Sequence, residues 1–184
     1  MIPSFRKTLQ LAALACWFLL PGGALAEKAG FLAGPYLLDV TDRSATIAFH
    51  THATQPAEVA VFDGDQVRRF RAAEPATAHF ITVDGLAPSH TYRYSVAAGD
   101  TRTPAGDPAY QIKTAGPPGD AFHFVVYGDP RPGESGTQRH HQAVVAEAAS
   151  LEPFFSVILG DMVDEGGNLN LWQNFFEVEA PLIR

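Results

Sequence analysis

The sequence has almost no cysteine, since Cys16 is the one such residue among 184. Cys16 lies inside the apolar run Leu9–Leu20, which continues past it, whereas a lipid-attachment cysteine would end the run. The rest of the chain has no thiol, which excludes a disulfide framework, a cysteine nucleophile and a thiolate metal site. Any metal would therefore need oxygen and imidazole ligands.

Basic residues are also scarce. The chain has 13 Lys and Arg residues against 20 Asp and Glu residues, and its formal net charge is −7. A general nucleic-acid binder needs a basic surface that neutralises phosphates. We therefore expect no nucleic-acid partner.

The apolar run Leu9–Leu20 follows Arg6 and Lys7 and precedes Ala24-Leu25-Ala26, which has small residues at the two positions that a signal peptidase recognises. Its twelve residues would span about 18 Å as a helix, short of a hydrocarbon core of about 30 Å, which disfavours the alternative of a membrane anchor. Residues 1–26 are predicted to be a signal peptide cleaved near Ala26. The protein would then be secreted or periplasmic, without a stable membrane anchor.

Between Gly34 and about Lys113, apolar side chains recur at every second position, as in strands with one buried face. The predicted inward-facing residues are Ile47, Phe49, Val59, Val61, Ile81, Val83, Tyr92, Tyr94 and Val96. Turn residues such as Asp63-Gly64-Asp65 and Gly99-Asp100 separate these short segments. The pattern predicts a small all-β sandwich over residues 31–115.

The segment 86–94 runs Leu-Ala-Pro-Ser-His-Thr-Tyr-Arg-Tyr. It resembles the corner of fibronectin type III domains in which a tyrosine hydroxyl bonds back to the chain upstream. Tyr92 takes the position of that tyrosine. The resemblance implies a fibronectin III-like sandwich.

Residues 116–120, with two prolines and two glycines, are predicted to be a linker, because these residues cannot continue a central strand. In residues 121–184 the pattern changes. Two nearly continuous apolar runs, Phe122–Tyr127 and Phe154–Leu159, flank a segment with helical spacing, Gln138–Glu152. This order predicts a βαβ unit with parallel strands covered on both faces.

Both apolar runs are directly followed by the same dipeptide, which is Gly128-Asp129 after the first and Gly160-Asp161 after the second. Ligands of open α/β sheets bind outside the carboxyl ends of the strands, so we expect Asp129 and Asp161 to share one edge. Two neighbouring carboxylates repel, and divalent cations between them relieve that repulsion. The alternative is structural, because Gly-Asp is also a common turn after a strand.

Three segments together resemble the start of a calcineurin-like metallophosphoesterase domain: Tyr127 to Arg131, His141 to Val145, and Gly160 to Gly167 with the aromatic residues downstream. A preceding fibronectin-like sandwich is similar to the arrangement in purple acid phosphatase-like proteins. The resemblance implies a binuclear site with two divalent metal ions, with Mn, Zn and Fe all open. It assigns Asp129 to the first metal and Asp161 to a bridging position.

Two positions depart from the pattern of that family. Many members have a metal-binding histidine where this chain has Arg131, and a guanidinium has no lone pair for a metal. Its planar fork suits a phosphate oxygen, so Arg131 is expected to orient substrate. The tyrosine that ligates iron in purple acid phosphatases is replaced by Asp164, a candidate ligand for another hard metal or, equally, a solvated loop charge beside Glu165.

Histidine provides fewer candidates. The comparison with the family makes His141 a candidate site residue, while the alternative for His140 and His141 is a surface pair in the first turn of a helix. The five other histidines lie in or beside predicted strands without ligand spacing. After Asp161 the chain has no histidine, although the family takes further ligands from Asn-His and Gly-His-x-His motifs there. We therefore expect an N-terminal fragment with half a metal site and no activity of its own.

The sequence thus predicts a metal-dependent phosphoric ester hydrolase acting on a phosphate ester substrate. It does not separate monoesters, diesters and nucleotides, and it assigns no oligomeric state. The alternative is a secreted, fibronectin III-like interaction module without catalysis.

Overall fold

The computed structural model describes residues 30–131 and 137–184. The predicted signal peptide therefore lies outside the described residues. Within the described ranges, no helix combines the length and the apolar character needed to cross a membrane.

Residues 30–115 form two packed antiparallel sheets, as the period of two predicts. Eight strands build them: β1 Phe31–Leu38, β2 Ala45–Gln55, β3 Ala57–Asp63, β4 Gln66–Arg71, β5 Ala76–Val83, β6 Thr91–Ala98, β7 Thr101–Arg102 and β8 Gln111–Lys113. One sheet has the order β1-β2-β5, and the other has the order β4-β3-β6 with β7 and β8 pairing successive parts of β6. The prediction of an all-β sandwich is confirmed.

The core of the sandwich consists of the residues that the alternation selects. Ile47, Phe49 and Val83 from one sheet pack against Val59 and Tyr94 from the other, and all five residues are fully buried. Most positions between them are polar or partly exposed, whereas Ala48 and Ala60 are small apolar residues that are also buried. Burial of these side chains supplies the main driving force for this half of the molecule.

The predicted tyrosine corner is present. Tyr92 is buried, and its hydroxyl accepts a hydrogen bond of 2.8 Å from the backbone N–H of Ala87. This bond fastens the crossing loop that joins β5 to β6. The hydroxyl thereby provides a partner for a backbone donor that the loop itself leaves unpaired.

Residues beyond the linker form a parallel strand pair and two helices. β9 (Phe124–Tyr127) pairs in parallel with β10 (Phe155–Ile158), and α1 (Thr137–Ser150) connects them. α2 (Leu169–Ile183) follows and packs on α1 and on β1. Asn168 caps α2 by accepting a hydrogen bond of 3.1 Å from the N–H of Asn170.

The expectation that β9 and β10 are covered on both faces is wrong for the described residues. α1 and α2 cover one face, but apolar side chains on the other are exposed. They are Phe124 (50%), Val126 (49%), Phe155 (41%), Val157 (37%) and, just past the strand, Leu159 (73%). Two strands with two helices on one side leave the opposite face open to solvent.

Aromatic contacts join the two halves. The ring of Tyr36 in β1 stacks on Phe176 in α2 with centroids 5.1 Å apart, and the Arg184 guanidinium lies 5.2 Å from the ring centroid of Tyr110. Trp172, Phe175 and Phe176 form one aromatic cluster on α2. α2 is therefore the element that connects the sandwich to the parallel strand pair.

Candidate functional site

The two Gly-Asp segments lie side by side at the carboxyl end of the parallel strands. Backbone pairing continues past the strands, because Asp129 donates its N–H to the carbonyl of Gly160 at 3.2 Å and Arg131 donates to the carbonyl of Asp161 at 3.0 Å. The structure thus brings Asp129 and Asp161 to one edge, as the sequence predicts.

Each glycine has its own reason to be there. A Cβ on Gly128 would lie 3.2 Å from the Cβ of Leu159, so the close approach of the two segments favours glycine at this position. Gly160 has φ of +123°, a backbone conformation that L side chains rarely adopt. The dipeptide therefore serves tight pairing in the first segment and a sharp turn in the second.

Asp129 and Asp161 share an unusual backbone conformation. Both have φ of +52°, in the left-handed region. Aspartate tolerates this region better than most residues, but it is still costly relative to ordinary extended backbone. Equivalent strain at both strand ends marks this edge as a candidate functional site.

Arg131 lies between the carboxylates at this edge. Its Nη2 is 3.1 Å from Oδ2 of Asp161, and its Nε is 3.8 Å from Oδ1 of Asp164. All three side chains are about half exposed. Asp164 thus belongs to the same charged cluster and is more than an isolated loop charge, while Arg131 neutralises part of the negative charge.

The donor chemistry of this edge fits a hard divalent cation in part. Asp129 and Asp161 offer carboxylate oxygens, the ligands preferred by Mg²⁺ and Mn²⁺, and the chain offers no competing thiolate here. In the described ranges, however, no three His, Asp or Glu side chains are grouped closely enough to hold an ion. The edge therefore provides a partial ligand set.

His141 is not a surface residue, and the alternative of an exposed histidine pair is wrong for it. It is 4% exposed, its ring stacks on Phe175 at 5.8 Å, and its Nε2 lies 2.6 Å from Oε1 of Glu179, which is 0% exposed. The neighbouring His140 is exposed. His141 therefore faces the packed interior between α1 and α2.

Glu179 also accepts a hydrogen bond from the hydroxyl of Tyr127, through its other oxygen Oε2. Burial, together with the bond to Glu179 and its negative charge, raises the pKa of Tyr127. Tyr127, Glu179 and His141 thus form a buried polar network between β9, α1 and α2. Sequence reasoning missed Glu179, although its spacing of four residues from the buried Phe175 was a signal that it faces the core.

Two further histidines, His79 and His90, make contacts within the sandwich. His79 is buried and stacks on Phe49 at 4.8 Å, and burial lowers its pKa. His90 lies 3.2 Å from the Asp63 carboxylate on the surface of the sandwich. One of the two is therefore a packed residue and the other a surface residue, and both lie in or beside strands of the sandwich.

Two grooves on the described surface are relevant to this edge. A groove of about 470 Å³ borders the linker near Pro117 and Phe122, and another of about 890 Å³ runs between β1 and α2. Neither is lined by Asp129, Arg131 or Asp161. The carboxylate edge is therefore an open surface site rather than a part of these grooves.

Comparison with known proteins matches the two halves differently. Residues 28–114 match a family described as a domain of unknown function (DUF7800). That segment coincides with the sandwich. No curated protein matches the sequence.

Among solved structures, that of PhoD aligns with 69% of this chain at 17% identity and a TM-score of 0.53, and the match covers 27% of the PhoD chain. The chain therefore spans about a quarter of the length of that protein. The likeness is one of fold.

Fibronectin type III domains are also among the structural neighbours. The FN5 domain of Drosophila Lar aligns with 48% of this chain and 98% of its own length, at 15% identity and a TM-score of 0.37. A fibronectin type III domain from the human KIAA0970 protein aligns with 52% of this chain and 80% of its own, at 15% identity and a TM-score of 0.38.

Proposed function

We propose that the edge formed by Asp129 and Asp161 binds divalent cations and that the protein acts as a metal-dependent phosphoric ester hydrolase. The observation that carries this proposal is the pair of strained aspartates at the ends of two adjacent parallel strands. The motif resemblance to calcineurin-like phosphoesterases and the likeness in fold to PhoD both support it.

Asp129 and Asp161 would hold the cations, and Asp164 is a further carboxylate of the charged cluster. When bound, divalent cations supply positive charge that stabilises the phosphoryl oxygens in the transition state. The backbones of the two segments are hydrogen-bonded to each other at Asp129 and at Arg131, which fixes the position of both carboxylate-bearing residues. Such a preorganised pair loses little conformational entropy when it binds a cation.

Arg131 would bind a phosphate oxygen of the substrate. Its guanidinium stays protonated and presents a planar fork of donors that matches phosphate. It now lies 3.1 Å from Asp161 and is half exposed, so it is available at the same edge. A cation that takes over the Asp161 carboxylate would free this fork for the ester.

The function is tested on the full-length gene product with an aryl phosphate monoester and the corresponding diester. We expect release of phenol in the presence of Mn²⁺ or Zn²⁺, and its loss in Asp161→Asn. A metal-loaded protein that hydrolyses neither ester, with no change on Asp161→Asn, would contradict the proposal. Unequal rates on the two esters would identify the substrate class.

A secreted interaction module is the second candidate. It is favoured by the fact that the core cluster of fourteen buried apolar side chains lies wholly within the sandwich. In that case the sandwich would bind a partner, and the carboxylate edge would be structural. The Asp161→Asn variant separates the two candidates, because binding by the sandwich would not depend on it.

A further inference from the structure

Glu179 is completely buried and yet carries an ionisable side chain. Its two carboxylate oxygens contact the Tyr127 hydroxyl and the His141 imidazole. Removing a charged group from water is unfavourable unless it is paired, and apolar replacements are often as stable as a buried polar network. A role beyond packing would explain why this interior position holds a carboxylate.

Glu179 contacts one residue that precedes Asp129 in the sequence and one that follows it. Tyr127 is the last residue before Gly128-Asp129, and His141 lies near the start of α1, the next element along the chain. Gly128 has no side chain by which the backbone could be held. Tyr127 is therefore the side chain nearest to Asp129 on its N-terminal side that can anchor the turn.

The backbone of Tyr127 is fixed at the same point. Its carbonyl accepts a hydrogen bond of 2.9 Å from the N–H of Leu159, and the next bonds in this ladder are the ones made by Asp129 and Arg131. The side chain of Tyr127 is thus held by α2 while its carbonyl is held by the segment after β10. Movement of the Tyr127 ring would be passed directly to the Asp129 turn.

We propose that Glu179 is a positioning residue that, through Tyr127 and His141, holds the Asp129–Arg131 turn in register with Gly160-Asp161. This inference rests on the proposed cation site for its functional meaning. Partners one step removed from a ligand typically change metal affinity by about 10–100-fold when they are lost. The network would act at the lower end of that range, because it reaches Asp129 through the backbone.

Two variants break the network with little change in volume. Tyr127→Phe removes one hydroxyl, and Glu179→Met removes the carboxylate. Glu179→Gln is the conservative variant, since an amide can still accept from Tyr127 and donate to the imidazole. The controls are Glu177→Met and Glu177→Gln, because Glu177 lies on the same helix and is exposed.

Two quantities are measured on the whole chain. The first is the hydrogen-exchange rate of the Asp129 and Arg131 amides by NMR, and the second is the dissociation constant for Mn²⁺ from the electron paramagnetic resonance signal of the free ion. In Tyr127→Phe and Glu179→Met we expect exchange at least about tenfold faster and Mn²⁺ binding about tenfold weaker. Glu179→Gln and both Glu177 variants should resemble wild type, and amides in β6 should be unchanged in all.

The outcomes separate the two proposals. Unchanged exchange and unchanged Mn²⁺ binding in the network variants would overturn the positioning role while leaving the cation site intact. A wild-type protein that binds no Mn²⁺ would overturn the cation site, and the amide exchange would then decide the positioning role alone. If Tyr127→Phe does not fold, Glu179→Met is judged by the same two criteria.

Discussion

At the scale of single residues, Arg131 is the cationic side chain that the described part of the chain places among the carboxylates of the candidate site. Its contact with Asp161 at 3.1 Å competes with any metal for that oxygen. Because the pair is half exposed, solvent and salt weaken this competition without abolishing it. Arg131 therefore opposes cation binding in the free protein and favours phosphate binding once the cation is in place.

Replacing Arg131 by Gln should therefore have two opposite effects. Mn²⁺ binding should become about threefold tighter, since a positive charge beside the ligand is removed, and the gain should shrink at high salt. Ester hydrolysis by the full-length protein should fall. Calorimetry with Mn²⁺ measures the first effect, and Arg139→Gln on the exposed surface of α1 is the control. Weaker Mn²⁺ binding in Arg131→Gln would show that Arg131 supports the site instead of competing with it.

Two buried tyrosines of β6 make a matched pair for testing the corner. The Tyr92 hydroxyl accepts from Ala87, whereas the Tyr94 hydroxyl has no hydrogen-bond partner among the described residues. Tyr92→Phe should lower the free energy of unfolding by about 1–3 kcal/mol because a backbone donor loses its acceptor. Tyr94→Phe should leave stability unchanged or raise it. Urea denaturation measures both, and equal losses would refute the assigned role of the corner.

At the scale of elements, the parallel strand pair is the unusual feature. One of its faces packs on the helices, and the other exposes Phe124, Val126, Phe155 and Val157. Parallel strands are ordinarily covered on both faces, so this surface is suited to burial against further structure. Exposed apolar strands also invite association between molecules.

The double variant Val126→Thr/Val157→Thr tests this surface. It preserves β-branched shape while adding two hydroxyls to exposed positions, so the 184-residue chain should bind less anilinonaphthalene sulfonate and melt at nearly the same temperature. Val145→Thr, a buried position of α1, is the contrasting control and should be destabilising. Loss of stability in the double variant equal to that in the control would mean that this face is covered in solution.

The elements differ in how far the sequence predicted them. Strands with one apolar face, such as β3 and β6, follow from alternation because burial selects every second side chain. β4 was not anticipated, since its Gln66 to Arg69 are all exposed and carry no alternating signal. The backbone pairing of β4 with β3 determines its structure, and pairing leaves no mark on composition.

The candidate site, like the elements, was predicted from the sequence only in part. The repeated Gly-Asp predicted the shared edge, because parallel strands align their carboxyl ends. The partners of His141 could not be predicted, since Glu179 is 38 residues away and reaches it only through the packing of α2 on α1. Long-range contacts between polar residues follow from tertiary packing, which local patterns do not encode.

At the scale of the whole molecule, the sandwich and the half beyond the linker differ in how many apolar side chains they bury. The sandwich contains a contiguous core, whereas the buried apolar side chains beyond the linker are Val145, Ala148 and Phe175 among the described residues. Because the stabilising free energy grows with the apolar area that is buried, the sandwich gains more from hydrophobic burial than the other half does. The sandwich should therefore be the stable unit and the parallel strand pair the dependent one.

Expressed separately, residues 30–115 should unfold cooperatively with a melting temperature close to that of the sandwich in the whole chain. Residues 121–184 should lack a cooperative transition, because the stacking of Phe176 on Tyr36 is lost along with the packing of α2 on β1. Circular dichroism during heating measures both. A cooperative transition in residues 121–184 alone would show that this half is an autonomous domain.

The central claim is that Asp129 and Asp161 together bind a divalent cation. The most direct test is titration of Mn²⁺ into the whole chain, with the free ion followed by electron paramagnetic resonance, for wild type, Asp129→Asn, Asp161→Asn and the exposed-surface control Glu147→Gln. We predict saturable binding that each aspartate variant weakens by more than about 100-fold and that the control leaves unchanged. Equal Mn²⁺ binding by all four proteins, or binding by none, would contradict the claim.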